Sequence, residues 1–230
     1  MRRLFWIFFI LLISGCAPTR TRHALPADLL VKARVDGIGD VRAVSGIPSD
    51  LFIDDFVDLL AQEERSGFSF FDILSKKTYS VLAISGGAAN GAYGAGLLNG
   101  WSQTGSRPVF KIITGISTGA VIAPYAFIGS DYDDKLKEFY THYSTKDITR
   151  RKGILQMIFG NSLANARPLE LLIDRHFDKE LIRRVADEYK KGRRLYVGTT
   201  NLDAQRLVIW DMGKIASIGT EDASKLFRKI

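Results

Sequence analysis

The alternation of apolar and polar positions divides the chain at about residue 79. Upstream, the apolar run Leu4–Ile13 gives way to a polar, basic stretch reaching about Pro26. The mixed segments between Leu29 and Ile47 either pair as short strands or stay irregular. Ser49-Asp50 then caps a helix with apolar positions Leu51, Phe52, Phe56, Val57, Leu59 and Leu60, a spacing that packs one face and leaves Asp54, Asp55 and Asp58 in solvent. Downstream, β-branched and apolar runs near 79–84, 109–114, 194–200 and 206–210 read as strands separated by helical patterns. That order predicts an α/β layered domain on a largely parallel central sheet flanked by helices. A long helical insertion from about Asp131 to Lys191 separates the second strand from the third. Within it, the stripe Ile154, Leu155, Met157, Ile158 and Phe159 suits either ordinary core packing or the wall of an acyl pocket or lid.

Two of these strands end in glycine-rich turns. Tyr79-Ser80-Val81-Leu82-Ala83-Ile84 runs into Ser85-Gly86-Gly87-Ala88-Ala89-Asn90-Gly91, and Phe110-Lys111-Ile112-Ile113-Thr114 runs into Gly115-Ile116-Ser117-Thr118-Gly119. The second turn has the G-x-S-x-G spacing of a nucleophile elbow, where a strand turns so sharply into a helix that only small residues fit two positions either side of the serine. The apolar segment Ala120–Ala126 supplies that helix. Such a turn lifts the Ser117 hydroxyl clear of the sheet, where a carbonyl reaches it. The first turn opens a helix through Ala92–Leu98, and backbone N–H groups at a helix N-terminus favour developing negative charge. Gly86 and Gly87 let the backbone approach a substrate closely. The pair of turns therefore reads as a nucleophile, Ser117 in an elbow flanked by Gly115 and Gly119, with an oxyanion hole made by the amides of Gly86, Gly87 and Ala88. Nucleotide binding fits poorly, because no Gly-Lys-Ser/Thr follows the first loop and Gly91, Gly94 and Gly96 miss the G-x-G-x-x-G intervals.

With both motifs in this order and about thirty residues apart, the stretch from Tyr79 onward resembles the patatin-like phospholipases. Their signature is a Gly-Gly-Gly-x-Arg/Lys-Gly loop upstream of a G-x-S-x-G serine. Ala88 stands where the third loop glycine is usual, and Asn90 stands where the basic residue is usual. An alanine still donates its N–H there if its φ is negative. The resemblance implies hydrolysis of lipid acyl esters by a serine and aspartate dyad, the aspartate lying in a later Asp-Gly-Gly or Asp-Gly-Ala turn. No such turn follows Ser117: the only Asp-Gly pair is Asp36-Gly37, and Asp174, Asp203 and Asp211 are not followed by glycine. The segments Leu195–Asp203 and Leu207–Asp211 resemble the strands upstream of the family's aspartate, and Glu221–Ile230 reads as the opening of an amphipathic helix. The expectation is a domain truncated before its base.

A serine served by histidine, in the chain order of ordinary α/β-hydrolases, needs His142 or His176. Both fall in helical patterns, His142 among alternating charged and aromatic residues and His176 at a helix C-terminus, where a cation is favourable anyway. Beside the lipid acyl hydrolase, the sequence thus leaves open a Ser-His-Asp esterase and a catalytically inactive lipid-binding or structural lipoprotein.

The N-terminus speaks to location. Met1-Arg2-Arg3 is a basic n-region, Leu4–Ile13 an apolar h-region, and Ser14-Gly15-Cys16 places small residues before a cysteine, the pattern of a bacterial lipoprotein signal. An h-region of about ten residues is too short to cross a bilayer core of about 30 Å. Cys16 is the single cysteine, which excludes a disulfide within the chain; its expected role is to carry lipid. Ala17 after it favours the outer membrane, by resemblance to sorted lipoproteins. The expected location is the cell envelope, lipid-anchored at the outer membrane and facing the periplasm. The organisation that follows is a signal peptide over 1–15, a tether and bracing segment over 16–78, and an incomplete patatin-like domain over 79–230.

The net charge of +7 falls to +5 when Arg2 and Arg3 leave with the signal. The runs Arg150-Arg151-Lys152, Arg183-Arg184 and Lys190-Lys191-Gly192-Arg193-Arg194 read as solvated helix faces and ends, or as contacts to an anionic lipid surface. They lack interleaved aromatics, and no helix-turn-helix or zinc spacing appears, which sets nucleic acid aside. Histidines scattered at His23, His142 and His176 offer no metal site, and no cofactor is required. The expected partners are a phospholipid or other acyl-ester lipid substrate and the membrane, reached through lipidated Cys16.

Overall fold

The computed structural model describes residues 25–65, 78–142, 150–151, 164–165 and 167–230. The signal segment with Cys16, His23 and the Ile154–Phe159 stripe lie outside the described residues. In chain order the elements are α1 (Ala27–Lys32), β1 (Arg42–Val44), α2 (Leu51–Arg65), β2 (Val81–Ile84), α3 (Gly91–Gln103), β3 (Ile112–Ile116), α4 (Thr118–Ile128), α5 (Asp133–His142), β4 (Arg150–Arg151), β5 (Ala164–Asn165), α6 (Arg167–His176), α7 (Lys179–Lys190), β6 (Arg194–Asn201), β7 (Arg206–Asp211), α8 (Met212–Ile218) and α9 (Glu221–Lys229).

Five strands make one sheet in the order β1-β7-β6-β3-β2, and β4 pairs with β5 apart from it. β2, β3 and β6 run parallel, while β7 and β1 are antiparallel to their neighbours. The expected α/β architecture is therefore present, and both glycine turns leave its parallel half. Alternation along the strands puts Ile113 and Gly115 of β3 beside Leu195 and Val197 of β6, all buried on the face that receives α4. α4 is apolar all round, with eight of its eleven residues buried, as a helix enclosed between sheet and other helices must be. α7 and α9 are instead amphipathic. Asp178 caps α7 by accepting from the Leu181 N–H at 2.8 Å, and Thr220 caps α9 by accepting from Ala223 at 3.2 Å. α9 buries Ala223 and Phe227, so the amphipathic helix expected over the last ten residues forms.

Two upstream expectations need correction. Leu29–Lys32 is helical, not extended, with Asp28 in the first turn and Lys32 in the last, each complementing the helix dipole. Only Arg42–Val44 pairs as a strand, against β7. Asp55 is not in solvent but 2% exposed. α2 turns Leu51, Asp55 and Leu59 inward at i, i+4 and i+8, and leaves Phe52, Ile53, Phe56 and Val57 36–64% exposed. The reason lies on β6, where the fully buried Arg194 requires an anion. Its Nε meets Asp55 Oδ1 at 2.5 Å, its Nη2 donates to the Asp55 carbonyl at 2.9 Å, and its Nη1 donates to Gln62 at 3.0 Å. The hydroxyls of Tyr196 and Tyr189 donate to the same carboxylate, and the guanidinium stacks on Tyr189 at 4.4 Å.

The basic runs divide accordingly. Arg193 and Arg194 are buried fixtures, Arg193 donating to the carbonyls of Phe110 at 2.8 Å and Phe127 at 2.6 Å and pairing with Glu188 at 2.6 Å. Arg183 pairs with Glu180 and Asp187 and Lys191 with Glu188 along α7, the solvated-face reading. Lys152 lies outside the described residues.

Asp211 completes the buried network. It caps α8 by accepting from the Lys214 N–H at 2.8 Å, and its Oδ2 has no hydrogen-bond partner among the described residues. Burial first, and then the charge on Asp55, push its carboxyl up to about 7, against weaker opposing pulls from the Lys214 N–H, Arg194 and the Lys214 side chain. The folded state thus holds this proton more tightly than the unfolded chain, so stability is full below about 4 and falls as pH rises through about 7. Asp211→Asn keeps the cap and removes the titration. Thermal melts between pH 4 and 8 should show a declining Tm for the unmodified chain and a flatter profile for the variant, which melts higher at pH 8. Parallel profiles would contradict this.

Candidate active site

The register of the parallel strands brings the two glycine turns together. Ile84 of β2 pairs with Gly115 of β3, so Gly86 and Ser117, each two residues further on, leave the sheet side by side at its C-terminal edge. The contact is direct: a β-carbon placed on Gly86 lies 3.0 Å from Ser117 Cβ and 3.5 Å from Ser117 Oγ. A side chain at 86 would occupy the space around the hydroxyl.

Ser117 itself has φ 55° and ψ −125°, left-handed backbone for a residue that carries a side chain. It precedes α4 yet makes no capping hydrogen bond to it, although serine is a preferred cap. The turn points the hydroxyl outward instead, and Ser117 is exposed. Two glycines permit this geometry. A β-carbon on Gly115 would overlap the carbonyl of Gly119, and one on Gly119 would overlap the carbonyl of Ile84. The G-x-S-x-G spacing is thus a steric requirement of strand, turn and helix meeting at this point.

The first turn approaches Ser117 with its amides free. The N–H groups of Gly86, Gly87 and Ala88 donate to no other residue among those described, and they precede a short 3₁₀ turn, Ala88–Asn90, leading into α3. Gly87 is extended at φ 173°. Ala88 departs from expectation, since its φ is +48° and not negative. It adopts the left-handed conformation that glycine takes without cost, at a price of about 1–2 kcal/mol. Asn90 donates its N–H to the Gly87 carbonyl at 2.9 Å and holds the turn.

Beneath the elbow is a clasp that sequence reading did not single out. Thr118 Oγ1 lies 2.6 Å from the Tyr140 hydroxyl, which also donates to the Thr118 carbonyl at 3.3 Å. Burial raises the Tyr140 pKa, keeping the hydroxyl protonated and able to donate. A β-carbon on Gly91 would collide with Thr118 Oγ1, so Gly91 is glycine to admit the clasp. A glycine opening a helix was the available signal.

A cavity of about 1540 Å³ opens beside Ser117 and runs between α4, α5, α6 and α9. Its walls are mostly apolar, among them Val121, Pro124, Phe139, Ile173, Phe177 and Phe227. Charged side chains, including Asp174, Lys225 and Arg228, line one part of it.

No titratable group hydrogen-bonds Ser117 Oγ among the described residues. His142 is exposed at the end of α5, with Nδ1 against the Glu138 carbonyl at 3.2 Å. His176 ends α6 with its ring edge-on to Phe139 at 5.3 Å, and burial lowers its pKa. Both are helix-end histidines, as the patterns implied. Asp174 pairs with Arg228 at 3.2 Å, Asp203 sits in the β6–β7 turn, and Asp211 is buried on the α2 side of the sheet.

A family model described as patatin-like phospholipase matches residues 82–218, from β2 through α8 and including both glycine turns. Searches of curated proteins and of solved structures found no match.

Proposed function

Because this chain belongs to the patatin-like phospholipase family, we propose that it is a serine-dependent acyl hydrolase of membrane lipids with Ser117 as nucleophile. The observation that carries the reading is the outward, uncapped hydroxyl of Ser117 next to the Gly86–Gly87–Ala88 amides. Ser117 Oγ attacks the ester carbonyl carbon while the carbonyl π pair moves onto oxygen. Amides aimed at that oxygen stabilise the charge where it develops, an effect worth about 3 kcal/mol per donor. Collapse of the tetrahedral species expels the alcohol, which takes up a proton, and leaves an acyl-serine that water then hydrolyses. The proton on Oγ requires a base, and among the described residues no titratable group hydrogen-bonds that oxygen.

The sequence supports attachment through a lipidated Cys16 at the bacterial outer membrane, which would hold the enzyme beside its substrate. The second reading, lipid binding without catalysis, draws on the absence of a base at Ser117 Oγ among the described residues.

A fluorophosphonate probe distinguishes the two readings. It forms an adduct only with an activated serine, and mass spectrometry of the labelled chain is expected to place that adduct on the peptide containing Ser117. A folded chain left unlabelled, or labelled at another serine, would sink the hydrolase reading and leave the binding one.

A further inference from the structure

We propose that Tyr140 is a positioning residue whose hydroxyl, set between Thr118 and Gly91, fixes the separation of the nucleophile turn from the oxyanion turn. What that separation serves rests on the hydrolase reading. The tie itself rests on contacts alone.

The sheet aligns the two turns but stops short of them. Ile84 and Gly115 are the last paired residues of β2 and β3. Past that pair, among the described residues, no hydrogen bond joins residues 85–90 to residues 116–119. The tie comes instead from the starts of the two helices that the turns open. α4 begins at Thr118, next to Ser117, and α3 begins at Gly91, whose N–H donates to the carbonyl of Ala88. Thr118 Oγ1 and the Tyr140 hydroxyl are 2.6 Å apart, and that hydroxyl also donates to the Thr118 carbonyl at 3.3 Å. Both oxygens press on the Gly91 backbone, where an added β-carbon would overlap Thr118 Oγ1 and come within 2.8 Å of the Tyr140 oxygen. Each turn is thus held one step from the group that acts: Thr118 adjoins the nucleophile, and Gly91 holds the carbonyl of Ala88, whose amide faces the developing charge.

The holding point is set from a third element. Tyr140 stands near the end of α5, edge-on to Phe139 at 5.4 Å, and Leu136 and Phe139 root that helix in the core. Packing alone does not ask for this arrangement. Tyr140→Phe with Thr118→Ala would clear the three atoms nearest to a β-carbon at 91, and alanine suits a helix better than glycine does. A misplacement of about 1 Å costs about 10²-fold in rate, so one oxygen that never touches substrate still governs the chemistry.

The test uses the full chain carrying Tyr140→Phe, which deletes one oxygen and keeps the ring, Thr118→Val, which deletes the other at constant size, or both. Hydrogen exchange is followed by NMR at the Asn90 and Gly91 amides, which hold the oxyanion turn through the Gly87 and Ala88 carbonyls. It should quicken about fivefold or more in each single variant, with the amides of β2 and β3 changed far less. On a short-chain nitrophenyl ester, kcat should fall about 10- to 100-fold in each single variant with KM within about twofold. The double variant should fall no further than the worse single, because either deletion breaks the same tie. Thr118→Ser, which returns the hydroxyl, should recover most of the loss. Thr118→Val reads the tie if Tyr140→Phe fails to fold.

Exchange at Asn90 and Gly91 that is unchanged, or that quickens only as much as in the strands, overturns the proposal. So do single losses that multiply in the double variant. A loss carried by KM overturns it too, since it would put Tyr140, which lines the cavity, on the substrate itself. An unmodified chain without esterase activity would strike the hydrolase reading and leave exchange to decide the tie, whereas unchanged exchange in an active enzyme would strike the tie alone.

Discussion

Ser117→Ala is expected to lower kcat on a short-chain nitrophenyl ester by about 10³-fold or more with the melting temperature nearly unchanged, and Ser117→Gly is expected to be equally inert yet to melt higher. The first part follows from the role of Oγ, since removal of a nucleophile from a coupled catalytic unit typically costs several orders of magnitude. The second follows from the backbone. At φ 55° and ψ −125° a residue with a β-carbon carries strain of about 1–3 kcal/mol. Alanine keeps that strain, whereas glycine relieves it. Glycine also loses about 0.5–1 kcal/mol through the greater freedom of the unfolded chain, leaving a net gain of about 1 kcal/mol. For a domain of this size that raises Tm by about 2–4 °C. Steady-state kinetics and thermal melts on the three proteins check both parts. A Ser117→Gly chain that melts below the unmodified one would show that the elbow is unstrained, and activity retained by either variant would remove Ser117 from the chemistry.

What the sequence revealed of this site was what local sterics dictate. Gly115 and Gly119 are legible as an elbow because a strand, a turn and a helix cannot meet there with any β-carbon in place, and the strand runs on either side give the context. Given two parallel strands, the register of Ile84 with Gly115 brings Gly86 to Ser117 without further instruction. Three features escaped because their causes lie far along the chain. Asp55 reads as a solvent residue on an apolar-striped helix, and only Arg194, 139 residues later and buried, turns that face inward. The Thr118–Tyr140 clasp joins residues 22 apart across two helices. The cavity walls come from α4, α5, α6 and α9, whose meeting no periodicity predicts. Ala88 shows the converse, for its left-handed φ contradicts what alanine prefers locally and is imposed by the turn it must complete.

The largest loss of stability should come from the far side of the sheet. Asp55→Ala strips the carboxylate from Arg194 and leaves a buried guanidinium with Gln62, carbonyl oxygens and the Tyr189 ring, and no anion paired to it among the described residues. Breaking a buried pair on one side typically costs about 3–5 kcal/mol, a large part of the about 5–15 kcal/mol that holds a domain folded. Arg194→Met should cost a similar amount, because Asp55 would then face Asp211 with no cation between them. Removing both charges, Asp55→Leu with Arg194→Met, should recover most of the loss, since an apolar pair of similar volume needs no counter-ion. Urea unfolding midpoints of the singles and the double give the coupling directly, expected at about 2 kcal/mol or more. Singles that each cost under about 1 kcal/mol, or losses that simply add, would mean that the pair does not brace the sheet. The consequence for function runs through β6, which carries Arg194 at its first residue and pairs from Arg194 to Gly198 with β3, the strand that leads into Ser117. An α2 released from β6 frees that strand at the end where it enters the sheet. The single variants, assayed where they remain folded, should therefore lose activity through a lower kcat, because the oxyanion amides and the serine must stay in register to act together.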